Sequence, residues 1–276
     1  MIDKNQLPYL LNLIDDDTDI VRTSILDELT KYGLSLEIDI KEYYSILSEN
    51  SRLLIKPLLE NNRREWFLSN WSKWEHESDD YNRLETAVNM ISIYQLGMDR
   101  RSSLHYMLDK LAGEFLSSKH LNDECDLAYF LFEEKGLKGD KEDYYSPLNS
   151  NPVYAIEKKK GLPITLCIIY MLVGNRLGFK IEACNFPGHF MSKIRIDDET
   201  VLVDCFNEGR MLFENNIRKL AKDSADAVMD IVNMKTSTVS IINRVINNLI
   251  NAYENQNDKI NAEFFRSILE LNLPEE

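Results

Sequence analysis

The 276-residue chain has only 4 cysteines and 4 histidines. Cys125, Cys167, Cys184 and Cys205 fall at irregular spacing, with no CxxC pair and no histidine cluster. That pattern excludes a zinc ribbon and a disulfide framework. Thiols set among apolar residues suit a reducing compartment, so a cytoplasmic protein is expected. Long apolar runs are also missing. The longest, Leu166 to Val173, is far short of the roughly 18 residues that a membrane span needs. The opening MIDKNQLPYLLNLIDDD has no basic region, so it does not read as a secretory signal. Positive charge is scarce: 32 Lys and Arg stand against 46 Asp and Glu, a net charge of −14. A polyanion repels phosphate backbones and anionic bilayers, so neither nucleic acid nor membrane is an expected partner. The compact basic run Lys158, Lys159, Lys160 reads as the solvated end of a helix. Fixed-period repeats and low-complexity tracts are lacking too. No cofactor and no metal are expected.

What is present is enough apolar sequence, 44%, to build a sizeable core in one or two domains. Residues 7 to 33 read as two short helices. Aspartates 15 to 17 punctuate them, and an aspartate or Thr18 is placed to cap the second. That second helix carries Ile20, Ile25, Leu26 and Leu29 and stops at Gly33. Such a pair is similar to a HEAT-type repeat, and residues 1–70 are assigned to a HEAT-like helical region. More amphipathic helices follow to about residue 135. SNWSKWEHESDDYN, with Trp71 and Trp74, breaks the pattern and reads as a linker or irregular segment.

From Gly136 the character changes. A turn-rich stretch, GLKGDKEDYYSPLNSNP, leads to ITLCIIYMLVGNRLG, which is apolar all round and therefore a buried helix. Strand-like runs follow: KIEACNF, HFMSKIRI and TVLVDCF. Helices then return, with a closing hairpin over 236–276. The order predicts an α+β fold, mostly helical, with a buried helix packed on a small antiparallel sheet.

An even-numbered turn between the last two strands puts His189, Met191, Lys193 and Arg195 on one face with Thr200, Leu202 and Asp204. The other face holds Phe190, Ser192, Ile194 and Ile196 with Val201, Val203 and Cys205. The first face reads as polar, the second as mostly apolar. A carboxylate beside an imidazole fixes its tautomer and stabilises its cation, the orienting role in a catalytic triad. The plainer alternative is a pair that only braces the strand ends. A thiol nucleophile belongs at a helix N-terminus, where free N–H groups and the helix dipole lower its pKa. The buried helix opens with Gly161, Leu162, Pro163, Ile164, Thr165, and no thiol stands there. Cys167, four residues after Pro163, shares its helix face but sits in an apolar run, where burial raises a thiol pKa.

These residues resemble the transglutaminase-like superfamily, whose core is papain-like. GLPITLCIIYMLVGNRLGF follows the register of the family's nucleophile helix, and His189 and Asp204 fall on its catalytic histidine and aspartate. Pro163 falls on the nucleophilic cysteine and Cys167 on a small packing position. The chain further resembles the SirB-type bacterial subfamily, with tetratricopeptide-like C-terminal helices. DYYSPLNS, GLPITL, FPGHF and DCFNEG carry that likeness. Cys205 departs from it, standing where a proline is usual, and LNLPEE leaves at most one helical hairpin of the repeat region. The resemblance implies a transglutaminase-like domain over 80–235 and a tetratricopeptide-like hairpin over 236–276. It implies a catalytically inactive binding or regulatory module, with protein or peptide as partner. The cleft would be lined by Tyr144, Tyr145, Asn149, Pro163, Asn185, His189, Asp204 and Asn207. The alternative is a hydrolase or transamidase in which His189 and Asp204 activate water or Cys167. A third reading is a helical adaptor.

Overall fold

The computed structural model describes residues 4–98, 103–118 and 123–272. The chain divides into two compact units, residues 1–72 with 96–101 and residues 73–95 with 102–276. The first is helical: α1 (Leu7–Leu13), α2 (Asp19–Thr30), α3 (Ser35–Asp39) and α4 (Glu49–Asn70). Asp16 shapes the turn before α2 by accepting the Thr18 N–H at 2.8 Å, while the Thr18 hydroxyl makes no capping bond. Ile25 and Leu29 are buried with Leu11, Ile14, Leu36 and Ile55. Ile20 does not join them. It lies five residues before Ile25, about 140° around the helix, and is 79% exposed. Beyond α2, Gly33 adopts φ +52°, a conformation that ends helices cheaply only for glycine.

The tryptophan segment at 69–82, expected as a linker or irregular segment, holds the point at which the chain passes from one unit to the other, between residues 72 and 73, and it is locally ordered. Helix α4 runs to Asn70 and continues as a 3₁₀ helix over Trp71–His76. Trp71 stacks on Phe67 at 4.8 Å, and Trp71 and Trp74 are both buried. The burial of two indoles outweighs the polar composition around them.

The second unit is α+β. It begins with α5 (Asp80–Leu96), α6 (Leu104–Leu116) and α7 (Glu124–Tyr129), and α7 runs on into a π-helical turn, Phe130–Glu134. A short parallel pair, β1 (Lys138–Gly139) and β2 (Lys160–Gly161), brackets α8 (Pro152–Lys158). Helix α9 (Pro163–Arg176) is buried on every side from Pro163 to Gly174, as its apolar circumference requires. The sheet is antiparallel in the order β3 (Glu182–Cys184), β4 (Met191–Ile196), β5 (Glu199–Asp204), β6 (Arg210–Phe213). Asp197 and Asp198 both have positive φ, the two-residue turn whose twist suits a hairpin. Lys193 pairs with Leu202 and Arg195 with Thr200, the register that the binary pattern predicts.

The polarity of that face is corrected. Met191, Leu202 and Leu212 pack there against Ile217, Val228, Met229 and Val232. Those residues come from α10 (Glu214–Ala221) and α11 (Ala225–Asn233). The sheet is thus covered on both faces, with α9 against β3 and β4. Lys193 fits this interior because its ammonium donates to the carbonyls of Val232 at 3.0 Å and Met234 at 3.3 Å. Glu182 lies 3.4 Å from it. The basic run at 158–160 also divides. Lys158 ends α8, whereas Lys160 pairs with Glu142 at 2.6 Å. The described chain closes with α12 (Thr238–Asn255) and α13 (Lys259–Leu271), joined by the stacked rings of Tyr253 and Phe265. No helix among the described residues is long and apolar enough to cross a membrane.

Candidate functional site

Four short segments build the site. In FPGHF, Pro187 and Gly188 form the centre of a tight turn closed by the His189 N–H on the Phe186 carbonyl at 3.0 Å. Proline presets the first turn position, and Gly188 supplies the positive φ, +76°, that the second demands. The turn delivers His189 just ahead of β4, and its Nε2 lies 2.8 Å from Asp204 Oδ1 at the end of β5. The histidine side chain is 24% exposed and the aspartate 9%.

In DCFNEG, Asp204 caps the 3₁₀ turn Cys205–Asn207. Its Oδ1 also accepts the Asn207 N–H at 3.2 Å, and its Oδ2 accepts the Asn207 side-chain amide at 2.8 Å. Burial works to raise the Asp204 pKa, but the bonds from His189 and Asn207 outweigh it and hold the carboxyl below its ordinary value. Gly209 returns the chain at φ +73°, where a Cβ would run into Phe132. Phe206 lies across Gly139, where a Cβ would sit 2.4 Å from its ring. The Phe206 ring meets His189 edge-on at 6.1 Å and Tyr144 at 6.0 Å.

DYYSPLNS and GLPITL form the brace behind this. Asn149 is fully buried. Its side chain donates to the Asp143 carbonyl at 2.6 Å, and its own carbonyl accepts from Leu162 N–H at 3.0 Å and Thr165 Oγ1 at 2.8 Å. Asn149 therefore ties the turn-rich segment to the start of α9 rather than lining a cleft. Pro163 occupies the first turn of α9 and is buried.

Of the expected residues, His189, Asp204 and Asn207 are bonded together, with Tyr144 beside them through Phe206. Tyr145 meets Tyr144 edge-on at 5.4 Å. Asn185 faces elsewhere and bonds to Arg244 of α12. Phe206 and Gly139 were not singled out in the sequence, although the phenylalanine stands inside DCFNEG. With Asn207 they line a pocket of about 280 Å³ whose rim carries Lys138, Lys141, Lys160, Glu142 and Glu208.

With Nε2 bonded to Asp204, Nδ1 is the ring nitrogen of His189 left to meet an incoming group. No described residue bonds that nitrogen. An imidazole so held can act as a base toward a group that approaches Nδ1. None of the four thiols bonds to it. Cys167 is buried, and its sulfur lies 3.8 Å from the Phe190 carbonyl. Burial, and then the neighbouring Cys205, push its pKa well above the ordinary range. Burial pushes Cys184 up to about 11, and burial plus nearby carboxylates push Cys125 up to about 11. Among the described residues, no group of three His, Cys, Asp or Glu is arranged to hold a metal ion.

A family model described as the transglutaminase-like superfamily matches residues 102–247, more than half of the chain. The chain belongs to the transglutaminase-like superfamily. The matched span takes in His189 and Asp204 and all of the four-stranded sheet. The chain is 33% identical over 133 residues to a UPF0162 protein of Xylella fastidiosa, covering 46% of this chain and 47% of that protein. It is 26% identical over 155 residues to F-box only protein 21 of Mus musculus, covering 52% of this chain and 24% of that one. The Homo sapiens form is 25% identical over the same length. The chain thus spans about half the length of the bacterial relative and a quarter of the mouse and human ones. No solved structure matches the chain.

Proposed function

We propose that this transglutaminase-like domain is a protein- or peptide-binding module without thiol catalysis, of the SirB-type branch of the superfamily. The observation that carries the reading is Pro163. The superfamily resemblance puts the nucleophile at this first turn of α9, and proline has neither a thiol nor a backbone N–H to offer. The His189–Asp204 pair is formed, yet nothing bonded to it can attack an acyl carbon. Without a nucleophile, only binding and oxyanion stabilisation remain. A similar segment covers 24% of F-box only protein 21, which supports a module working beside other protein segments. In this reading residues 1–70 serve as a HEAT-like flank and 236–276 as a tetratricopeptide-like hairpin, both in a cytoplasmic protein.

The test is Pro163→Cys. A thiol there lies at a helix N-terminus, where its pKa falls. The variant is expected to gain amine incorporation or acyl hydrolysis, and adding His189→Ala should reduce that gain by about 10²-fold. A folded variant with no gain, and with a thiol of ordinary reactivity, would contradict the assignment of Pro163 to the nucleophile's position.

A second reading, hydrolysis by water, rests on the free Nδ1 of a partly exposed His189. It requires turnover by the unaltered chain that survives Cys167→Ala and is lost in His189→Ala.

A further inference from the structure

Helix α12 carries an amide-rich stripe that the His189–Asp204 pair does not use. It borders an open groove of about 610 Å³. The lining is Asn185, Phe190, Ser237, Val239, Ser240, Asn243, Arg244, Asn247 and Asn248, and not one of the nine is acidic. In a chain with 46 carboxylates, that is an unusual stretch of surface.

Among the described residues, Arg244 is the one charged residue lining the groove. Its guanidinium lies 5.4 Å from the centre of the Phe190 ring and bonds to Asn185. Both contacts are neutral, and no described carboxylate pairs with it. Most arginines described in this chain do have an acid: Arg63 has Glu37, Arg176 has Glu85 and Asp109, and Arg266 has Glu254 and Glu263. The contact with Phe190 also ties the groove to the turn that presents His189.

The amides around Arg244 have unused capacity. The Asn248 side chain bonds to no described residue. Asn243 accepts from Asn272 at 2.8 Å through Oδ1, leaving its own N–H groups free. Asn247 donates to the Asn243 carbonyl at 2.8 Å, leaving Oδ1 free. Asn243 and Asn247 are one i,i+4 step apart, about 6 Å along the helix. Alternate residues of an extended chain repeat at about 6.6 Å. Side-chain amides at that spacing meet successive backbone N–H and C=O groups pointing to one side of a peptide, whatever its sequence.

We propose that this groove binds an extended polypeptide segment bearing an aspartate or glutamate, with Asn243, Asn247 and Asn248 on its backbone and Arg244 on its carboxylate. The inference deepens the binding-module reading and rests on it. The amides give grip without sequence demand. The lone guanidinium supplies the selectivity, because a carboxylate matches its fork and a cation is repelled.

The test uses the isotope-labelled full chain and two pools of ten-residue peptides, randomised except for a central glutamate or a central lysine. Side-chain amide and guanidinium NMR signals report the groove. The glutamate pool is expected to shift the signals of Asn243, Asn247, Asn248 and Arg244. The lysine pool should give shifts at least fivefold smaller. Asn247→Ala with Asn248→Ala should abolish the response at an unchanged melting temperature, and Arg244→Gln should make the two pools equal. Equal shifts from both pools in the parent, shifts elsewhere only, or a response that survives the double alanine variant would overturn the proposal. The same samples are assayed for turnover. Groove shifts in a protein that turns over would sink the non-catalytic reading and leave the groove standing. An unresponsive groove in a protein without turnover would sink the groove alone.

Discussion

Asp204 is the residue on which the site turns. It accepts three hydrogen bonds, one from His189 and two from Asn207, while almost buried at the end of β5. FPGHF and DCFNEG made this pair legible in the sequence, because a turn former before one strand and an Asx cap after the next bring the two side chains together. Asn149 was expected in the cleft lining, on the strength of DYYSPLNS, and not as a buried brace. Its burial depends on the two bonds its carbonyl accepts from Leu162 and Thr165, and no local pattern announces those. The Asp204 pKa is held below its ordinary value. A group depressed in the folded state stabilises fully above its unfolded pKa, near 3.9, and loses that contribution as pH falls through the lower folded value. Asp204→Asn should therefore cost about 1–3 kcal/mol between about pH 5 and pH 8. The gap from the parent should close below about pH 4. Thermal melts of both proteins across that range check it, and a gap that widens in acid would contradict the account.

At the scale of elements, the hairpin register followed from binary patterning, but the environment of its face did not. Lys193, Arg195 and Thr200 made that face look solvated. Period-2 reasoning assigns sides, and it cannot say what packs on a side. Here α10 and α11 cover it, and they lie only after the strands in the chain. The tryptophan segment does hold the boundary between the two units, but its polar neighbours gave no sign that its indoles are buried. Lys193 shows how the covered face tolerates a cation. Its ammonium takes the carbonyls of Val232 and Met234, where α11 ends and the negative pole of the helix lies. Lys193→Met fits the apolar surroundings but leaves those carbonyls and Glu182 without their donor. It should cost about 1–3 kcal/mol. Amide exchange should speed up mainly along α11 rather than α9, measured by hydrogen–deuterium exchange. Uniform acceleration across the sheet and α9 would contradict a capping role.

At the scale of the whole molecule, two features support the proposal that this domain works without thiol catalysis. The buried helix starts with proline where the likeness asks for cysteine. None of the four thiols that the chain does have bonds to the histidine, and three of them are buried. The sequence pointed the same way at Cys167, whose apolar run ITLCIIY predicts a buried thiol with a raised pKa. Superfamily membership alone does not decide the matter, because a scaffold outlives the chemistry grafted on it. The direct measurement is turnover by the unaltered protein. Amine incorporation into glutamine substrates and acyl hydrolysis are followed near neutral pH, with Cys167→Ala and His189→Ala proteins alongside. The account predicts no thiol-dependent turnover by the parent, and rates for all three that match the uncatalysed background. Robust parental turnover, lost in both Cys167→Ala and His189→Ala, would contradict it.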